Sequence, residues 1–402
     1  PRLGDGRRAF QFYVQQFAPI YERYAGAAAI AIATLDVTPP AILGYFGSEP
    51  LIMQSPENAL ATNKPVGILV TEATAQRLMG ASLNGMKPGT PGRTIGGNVT
   101  FADAPTTAPA RNVVAILRGS DPALRNTYVV VGAHNDHDGI AEEAVDHDSL
   151  RVFNRFVRRG GAESPERAPS ADELAKMRAS LDSIRKLRPA RLDSVMNGAD
   201  DDGSGSMGML EIAEQMSKAG QKPRRSVLFI WHTAEEKGLF GSEWYSDRST
   251  VPRDSIVAGI NIDMIGRGGA FDEVQGGGPH YLQLLGSRRL STQLGDLVEQ
   301  VNRERKYDFK LDYSFDANGH PQQYYCRSDH YNYARYGIPV VFFSTGGHQD
   351  YHMPTDEPQY IDYDHLSRVT NYIGELTAAL ANRPERLVVD KPKPDPKGQC
   401  VQ

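Results

Sequence analysis

Five short stretches of this 402-residue chain carry side chains whose types and spacing can do chemistry together. The run Tyr128-Val-Val-Val-Gly-Ala-His134-Asn-Asp136 ends an apolar segment with an imidazole and a carboxylate two residues apart. Asp200-Asp201-Asp202-Gly203-Ser204-Gly205 sets three carboxylates before small residues and the helix-like run Met207 to Met216. A second apolar segment from Val227 ends in Glu235-Glu236-Lys-Gly238. Asp263 interrupts Gly259-Ile-Asn-Ile-Asp263-Met-Ile, and Tyr351-His352 stands in a loop after Ile338 to Phe343.

Each stretch alone also reads as ordinary structure. His134 fits a strand end at a surface turn, the aspartates fit a helix cap, and Glu235-Glu236 fits a solvated pair. Taken together they point to a cation. Adjacent carboxylates repel unless a cation sits among them, and an aspartate inside an apolar run is costly unless paired or metal-bound. Two imidazoles and three carboxylates, His134, Asp201, Glu236, Asp263 and His352, form the nitrogen and oxygen set that suits Zn²⁺ with positions left open. A shared carboxylate between two divalent ions about 3.5–4 Å apart is an arrangement used for hydrolysis. A histidine ligand also needs its second ring nitrogen engaged, and Asp136 is placed to do this.

These residues require elements that bring strand ends together. Asn112 to Leu117, Tyr128 to Ala133, Ser226 to Trp231, Ile256 to Ile262 and Ile338 to Phe343 are apolar runs alternating with helical stretches. They predict an α/β fold with a mixed, mostly parallel twisted sheet flanked by helices. Residues 1–107, with Ala27 to Leu35 and Val66 to Val70, read as a smaller α/β or mostly β module. The main domain spans 108–385. A charged stretch at about 142–194 interrupts it and carries one amphipathic helix, with Leu174, Met177, Leu181, Ile184 and Leu187 at helical spacing behind a Ser170/Glu173 capping box. The Arg151 to Arg159 run within it reads as a solvated helical face. Residues 386–402 read as an extended, mobile tail.

Composition narrows the function classes. Hydrophobic residues are 40% and charged residues 23%, with a net charge of −5, so nucleic acid is not an expected partner. No apolar run approaches the roughly 20 residues of a membrane span. Two cysteines, Cys326 and Cys400, exclude a disulfide scaffold and leave open whether they pair.

The ordered contexts GAH-x-D, DDGSG, AEE-x-G, IDM and YH-x-x-x-D resemble the co-catalytic zinc aminopeptidase family, which includes secreted bacterial leucyl aminopeptidases and, more distantly, glutamate carboxypeptidase II. The resemblance covers about residues 109–385 and implies two Zn²⁺ ions per chain. Asp201 would bridge them, with His134 and Asp263 on one ion and Glu236 and His352 on the other. It further implies Glu235 as general base, Asp136 as the orienter of His134, a cis peptide after Asp201, and Tyr351 or Tyr325 as the hydroxyl that stabilises the oxyanion. Arg327 resembles a substrate-contacting arginine of some members and fits a structural ion pair equally well. Residues 1–107 resemble part of a protease-associated domain.

The expected activity is release of N-terminal residues from peptides, in a secreted or periplasmic setting. A carboxypeptidase or dipeptidase on the same site is the main alternative. A receptor-like module or a glutaminyl cyclase is more remote. Two departures from the family pattern are expected: the insertion between His134 and Asp201, and the lack, in the residues shown, of the N-terminal helical segment that usually precedes a protease-associated domain.

Overall fold

The structure is a computed structural model that describes residues 23–38, 65–97, 104–165, 167–267 and 277–402, with positions 20, 43 and 53. The chain divides into two compact units, 1–108 and 109–402. In the first, β1 (Ala29–Ala33) and β2 (Val66–Val70) pair in parallel, and α1 (Glu72–Met79) follows. The Thr71 hydroxyl caps α1 by accepting from the Thr74 N–H at 3.1 Å, and Gly80 closes it in the left-handed region. Much of the range read as protease-associated lies outside the described residues.

In the second unit, β3 (Val113–Leu117) and β4 (Tyr128–His134) precede the insertion. The insertion comprises β5 (Gly139–Asp146), α2 (His147–Val157), α3 (Ala171–Arg185) and β6 (Leu192–Met196). Then come α4 (Gly203–Lys218), β7 (Ser226–His232), α5 (Phe240–Asp247), β8 (Ile256–Ile262) and β9 (Tyr281–Leu285). The chain continues with α6 (Thr292–Glu304), β10 (Lys310–Asp312), α7 (His330–Ala334), β11 (Val340–Ser344) and α8 (Tyr363–Asn382).

Seven strands form one sheet in the order β10-β9-β11-β8-β4-β7-β3. The central four, β7, β4, β8 and β11, run parallel, while β3 and β9 join antiparallel. The apolar runs are buried on both faces because alternate residues feed two cores. Val129, Val131, Val227 and Phe229 pack with Met209, Ile212, Tyr372 and Leu376 from α4 and α8. Val130, Leu228 and Ile230 pack with Tyr245 and Tyr333 from α5 and α7. This period of two places helices on both sides. No described helix is long and apolar enough to cross a membrane.

The insertion is a β5–β6 antiparallel stalk carrying two helices. α3 begins on the expected box: the Glu173 N–H donates to Ser170 Oγ at 3.2 Å, and the Ser170 N–H donates to Glu173 Oε2 at 2.8 Å. The reading of the Arg151 to Arg159 run as a solvated face needs correction. Arg151 pairs with buried Asp350 at 3.1 Å and stacks on Tyr360, and α2 also buries His147, Asp148 and Asn154. The mobile-tail reading of 386–402 is corrected too. Leu387 is buried in the core, Cys400 forms a disulfide with Cys326, and Gln402 Oε1 accepts from the Tyr325 N–H at 2.9 Å. Local composition marked the segment as extended, whereas its anchors lie about 75 residues upstream.

Candidate metal centre

The parallel strands β4, β7, β8 and β11 deliver His134, Glu235, Glu236, Asp263 and His352 to one end of the sheet, where Asp201 joins them from the start of α4. His134 is the last residue of β4, Asp263 follows β8, and Glu235 and Glu236 follow β7 within a tight turn. His352 lies in the loop after β11, and Asp201 precedes α4. These are the carboxyl ends of the strands, where α/β sheets collect ligands.

The three aspartates divide their work. Asp202 caps α4 by accepting from the Gly205 N–H at 3.0 Å, and it also accepts from the N–H groups of His134 and Met264, each at 3.1 Å. Gly205 is required there, since a Cβ would lie 2.3 Å from Asp202 Oδ1. Asp200 accepts from the Gly266 N–H at 2.6 Å and faces His348 at 3.1 Å. Asp201 stands between them, and the Asp201–Asp202 peptide is cis.

Asp201 splits its oxygens between two sets. Oδ1 is 3.2 Å from His134 Nε2, which is 3.7 Å from Asp263 Oδ1. Oδ2 is 2.9 Å from His352 Nε2, which is 3.1 Å from Glu236 Oε2. His134 Nε2, Asp201 Oδ2, Glu236 Oε1 and Asp263 Oδ1 are buried, and the polar groups nearest them are the other histidines and carboxylates of the same cluster. Buried carboxylates and imidazoles gathered this closely, in two sets that share Asp201, fit cations. The field agrees. Burial opposes charge on His134, yet Asp201 and Asp263 outweigh it and hold its pKa well above the usual imidazole range.

Glu235 lies beside His134 and Glu236. Burial holds its carboxyl well above the usual range; His134 opposes this, while Asp329, Asp263 and Glu236 add to it. A carboxyl so placed holds and returns a proton readily.

Asp136 engages His134 differently from the expectation. Its main-chain carbonyl, not its carboxylate, lies 3.0 Å from His134 Nδ1, and the carboxylate stands off at 3.8 Å. That carboxylate instead accepts from the N–H groups of Glu235 at 3.0 Å and Glu236 at 3.3 Å, fixing the glutamate turn.

The tyrosines also separate. Tyr351 borders the cleft beside the centre, its ring 4.1 Å from that of His352. Tyr325 is buried in the second core under the Arg289 guanidinium and lines none of that cleft, which receives Tyr324 instead. Neighbours in a short 3₁₀ turn point in different directions, so one tyrosine enters the core and the other the cleft.

Sequence reasoning missed several participants. His137 Nδ1 is 2.7 Å from Glu236 Oε1, and Asp138 Oδ2 is 3.2 Å from His352 Nδ1, a carboxylate that orients a candidate ligand. Both directly follow Asp136, so the run His134-Asn-Asp-His-Asp138 held the signal. Ser328 Oγ donates to Asp263 Oδ2 at 2.8 Å, and Asp356 Oδ2 accepts from the Asp200 N–H at 2.9 Å and the Asp201 N–H at 3.2 Å.

The chain is similar to known proteins over part of its length. A family model described as peptidase family M28 matches residues 162–377, just over half of the chain. The leupeptin-inactivating enzyme 1 of Streptomyces exfoliatus is 42% identical over 80 residues, 19% of this chain and 18% of that protein. A probable leucine aminopeptidase of Trichophyton verrucosum is 31% identical over 149 residues, 36% of this chain and 38% of that protein. The chain thus spans well under half the length of these two relatives. A zinc aminopeptidase from Bacillus subtilis aligns with a TM-score of 0.44 at 18% identity, covering 70% of this chain and 52% of that one.

Proposed function

Because the chain belongs to peptidase family M28, we propose that it is a two-zinc aminopeptidase that releases N-terminal residues from peptides. The observation that carries this is Asp201, whose two oxygens face two separate histidine–carboxylate pairs. His134 and Asp263 would hold one ion, Glu236 and His352 the other. Bound zinc supplies Lewis-acid polarisation of the scissile carbonyl and acidifies water.

The chain's own residues do the rest. Glu235 accepts the proton of the attacking water on its carboxylate and returns it to the leaving amine. The Asp136 carboxylate keeps Glu235 in place by accepting from the Glu235 N–H. The Tyr351 hydroxyl donates to the oxyanion as charge develops on it. The acidic surroundings receive the substrate ammonium. The Cys326–Cys400 disulfide supports a secreted or periplasmic setting, where such bonds persist.

Assay of the zinc-loaded protein on amino acid p-nitroanilides beside N-acylated peptides tests the reading. Cleavage of the anilides is expected. Cleavage of the acylated peptides alone would replace it with a carboxypeptidase.

A further inference from the structure

The insertion between His134 and Asp201 reaches the cleft that borders the metal centre. The floor of this cleft is one face of two paired strands, with Gln283 and Leu285 on β9 and Phe342 and Ser344 on β11. Asp263 lies at its edge, and Tyr324, Arg327 and Tyr351 wall it. One further wall residue, Glu163, comes from the turn Gly161–Glu163 that follows α2.

Glu163 Oε1 lies 2.5 Å from Nη2 of Arg327, and its Oε2 accepts from the Tyr324 hydroxyl at 3.0 Å. The guanidinium is seated by two other groups as well. It lies 4.9 Å from the Tyr324 ring centroid and 3.5 Å from the Tyr351 hydroxyl. The positive charge at the cleft is therefore already paired within the protein, and a substrate carboxylate would compete with Glu163 for it. Gln283 adds a neutral polar group to the floor. It is buried.

We propose that Glu163 is the specificity-determining residue of this cleft: by pairing with Arg327 it keeps the pocket electrically neutral and restricts the residue bound beside the metal centre to one with a neutral side chain. The proposal rests on the aminopeptidase reading of the same centre. Selectivity arises here as much from what is withheld as from what is offered. Removing one member of this partly buried ion pair leaves the other uncompensated and favours a ligand of opposite charge in its place. Glu163→Gln leaves Arg327 seated by Tyr324 and Tyr351 and calls for an anion. Arg327→Gln leaves the Glu163 carboxylate and calls for a cation.

Calorimetric titration of the zinc-loaded full chain with L-leucine, L-glutamate and L-lysine tests this. The wild type is expected to bind leucine tightest. In Glu163→Gln the glutamate-to-leucine affinity ratio rises about tenfold or more, the scale of one charge-assisted hydrogen bond. In Arg327→Gln the lysine-to-leucine ratio rises instead. Circular dichroism checks that each variant is folded, and because the two shifts have opposite sign, a folding defect cannot imitate both. Unchanged ratios in both variants, a wild type that prefers glutamate, or no binding of any of the three overturns the proposal. Leucine p-nitroanilide hydrolysis is followed in parallel. Its absence with shifted ratios removes the aminopeptidase reading and leaves Glu163 standing, while hydrolysis with unchanged ratios does the reverse.

Discussion

Asp201 and Glu235 both neighbour His134 but differ in kind, and substitution separates them. Glu235→Gln preserves size and removes the proton carrier. It is expected to lower kcat by about 10²–10⁴-fold while two zinc ions remain bound, as read by steady-state kinetics beside metal analysis. Asp201→Asn removes one of the two facing oxygens and is expected to lose metal as well as activity. His137→Ala tests a residue whose Nδ1 lies 2.7 Å from Glu236. Affinity for the second zinc should fall about 10–100-fold in chelator competition, the usual effect of losing a group that orients a ligand. At this scale the sequence told which side chains gather, because each motif is local. It did not tell which atom of Asp136 faces His134, since a carbonyl and a carboxylate on one residue lead to the same sequence.

Helices α2 and α3 show why element-level function escaped the sequence. Helix α3 was legible from its capping box and apolar spacing, both written within about fifteen residues. The role of α2 was not, because its partners lie some two hundred residues away. Asn154 Nδ2 donates to the Gln349 carbonyl at 3.0 Å, the Ala162 N–H donates to the Tyr351 carbonyl at 3.0 Å, and His147 faces Glu357 at 2.8 Å. The insertion thus supports the loop that presents His352. Asn154→Ala leaves a buried carbonyl unsatisfied and should cost about 1–3 kcal/mol in urea titration. On the two-zinc reading, the same variant should weaken the site proposed at His352 more than the one proposed at His134.

Helix α7 carries a pH signature. Burial pushes the His330 imidazole down to about 3, against a usual value near 6.5. Between these values the unfolded chain binds a proton that the folded chain does not, so folding stability falls as pH drops below about 6.5. The loss is at most about 1.4 kcal/mol per pH unit from this group, and denaturant titrations from pH 6.5 to 5 should show a shallower slope in His330→Phe.

Across the whole second unit, the Cys326–Cys400 disulfide ties the chain end to the turn that holds both Tyr324 and Arg327. With a sequence separation of 74, closing this loop stabilises the fold by up to about 4 kcal/mol in the chain-entropy model. Reduction should lower stability by up to that amount in urea titration. It should also raise KM more than it lowers kcat, because it frees a cleft wall and leaves the metal-facing residues untouched.

The sequence by itself determined the α/β sheet, its central strands, the five candidate ligands and Glu235. Apolar periodicity and the cost of buried charge act within a few residues, and such information is complete in a local stretch. Only the tertiary structure decided that Asp201 turns one oxygen to each histidine, that Tyr324 and not Tyr325 faces the cleft, that the last residues are anchored, and that Glu163 neutralises Arg327. Each of those outcomes depends on which distant segments the chain brings back into contact, and that is settled by packing over the whole sheet.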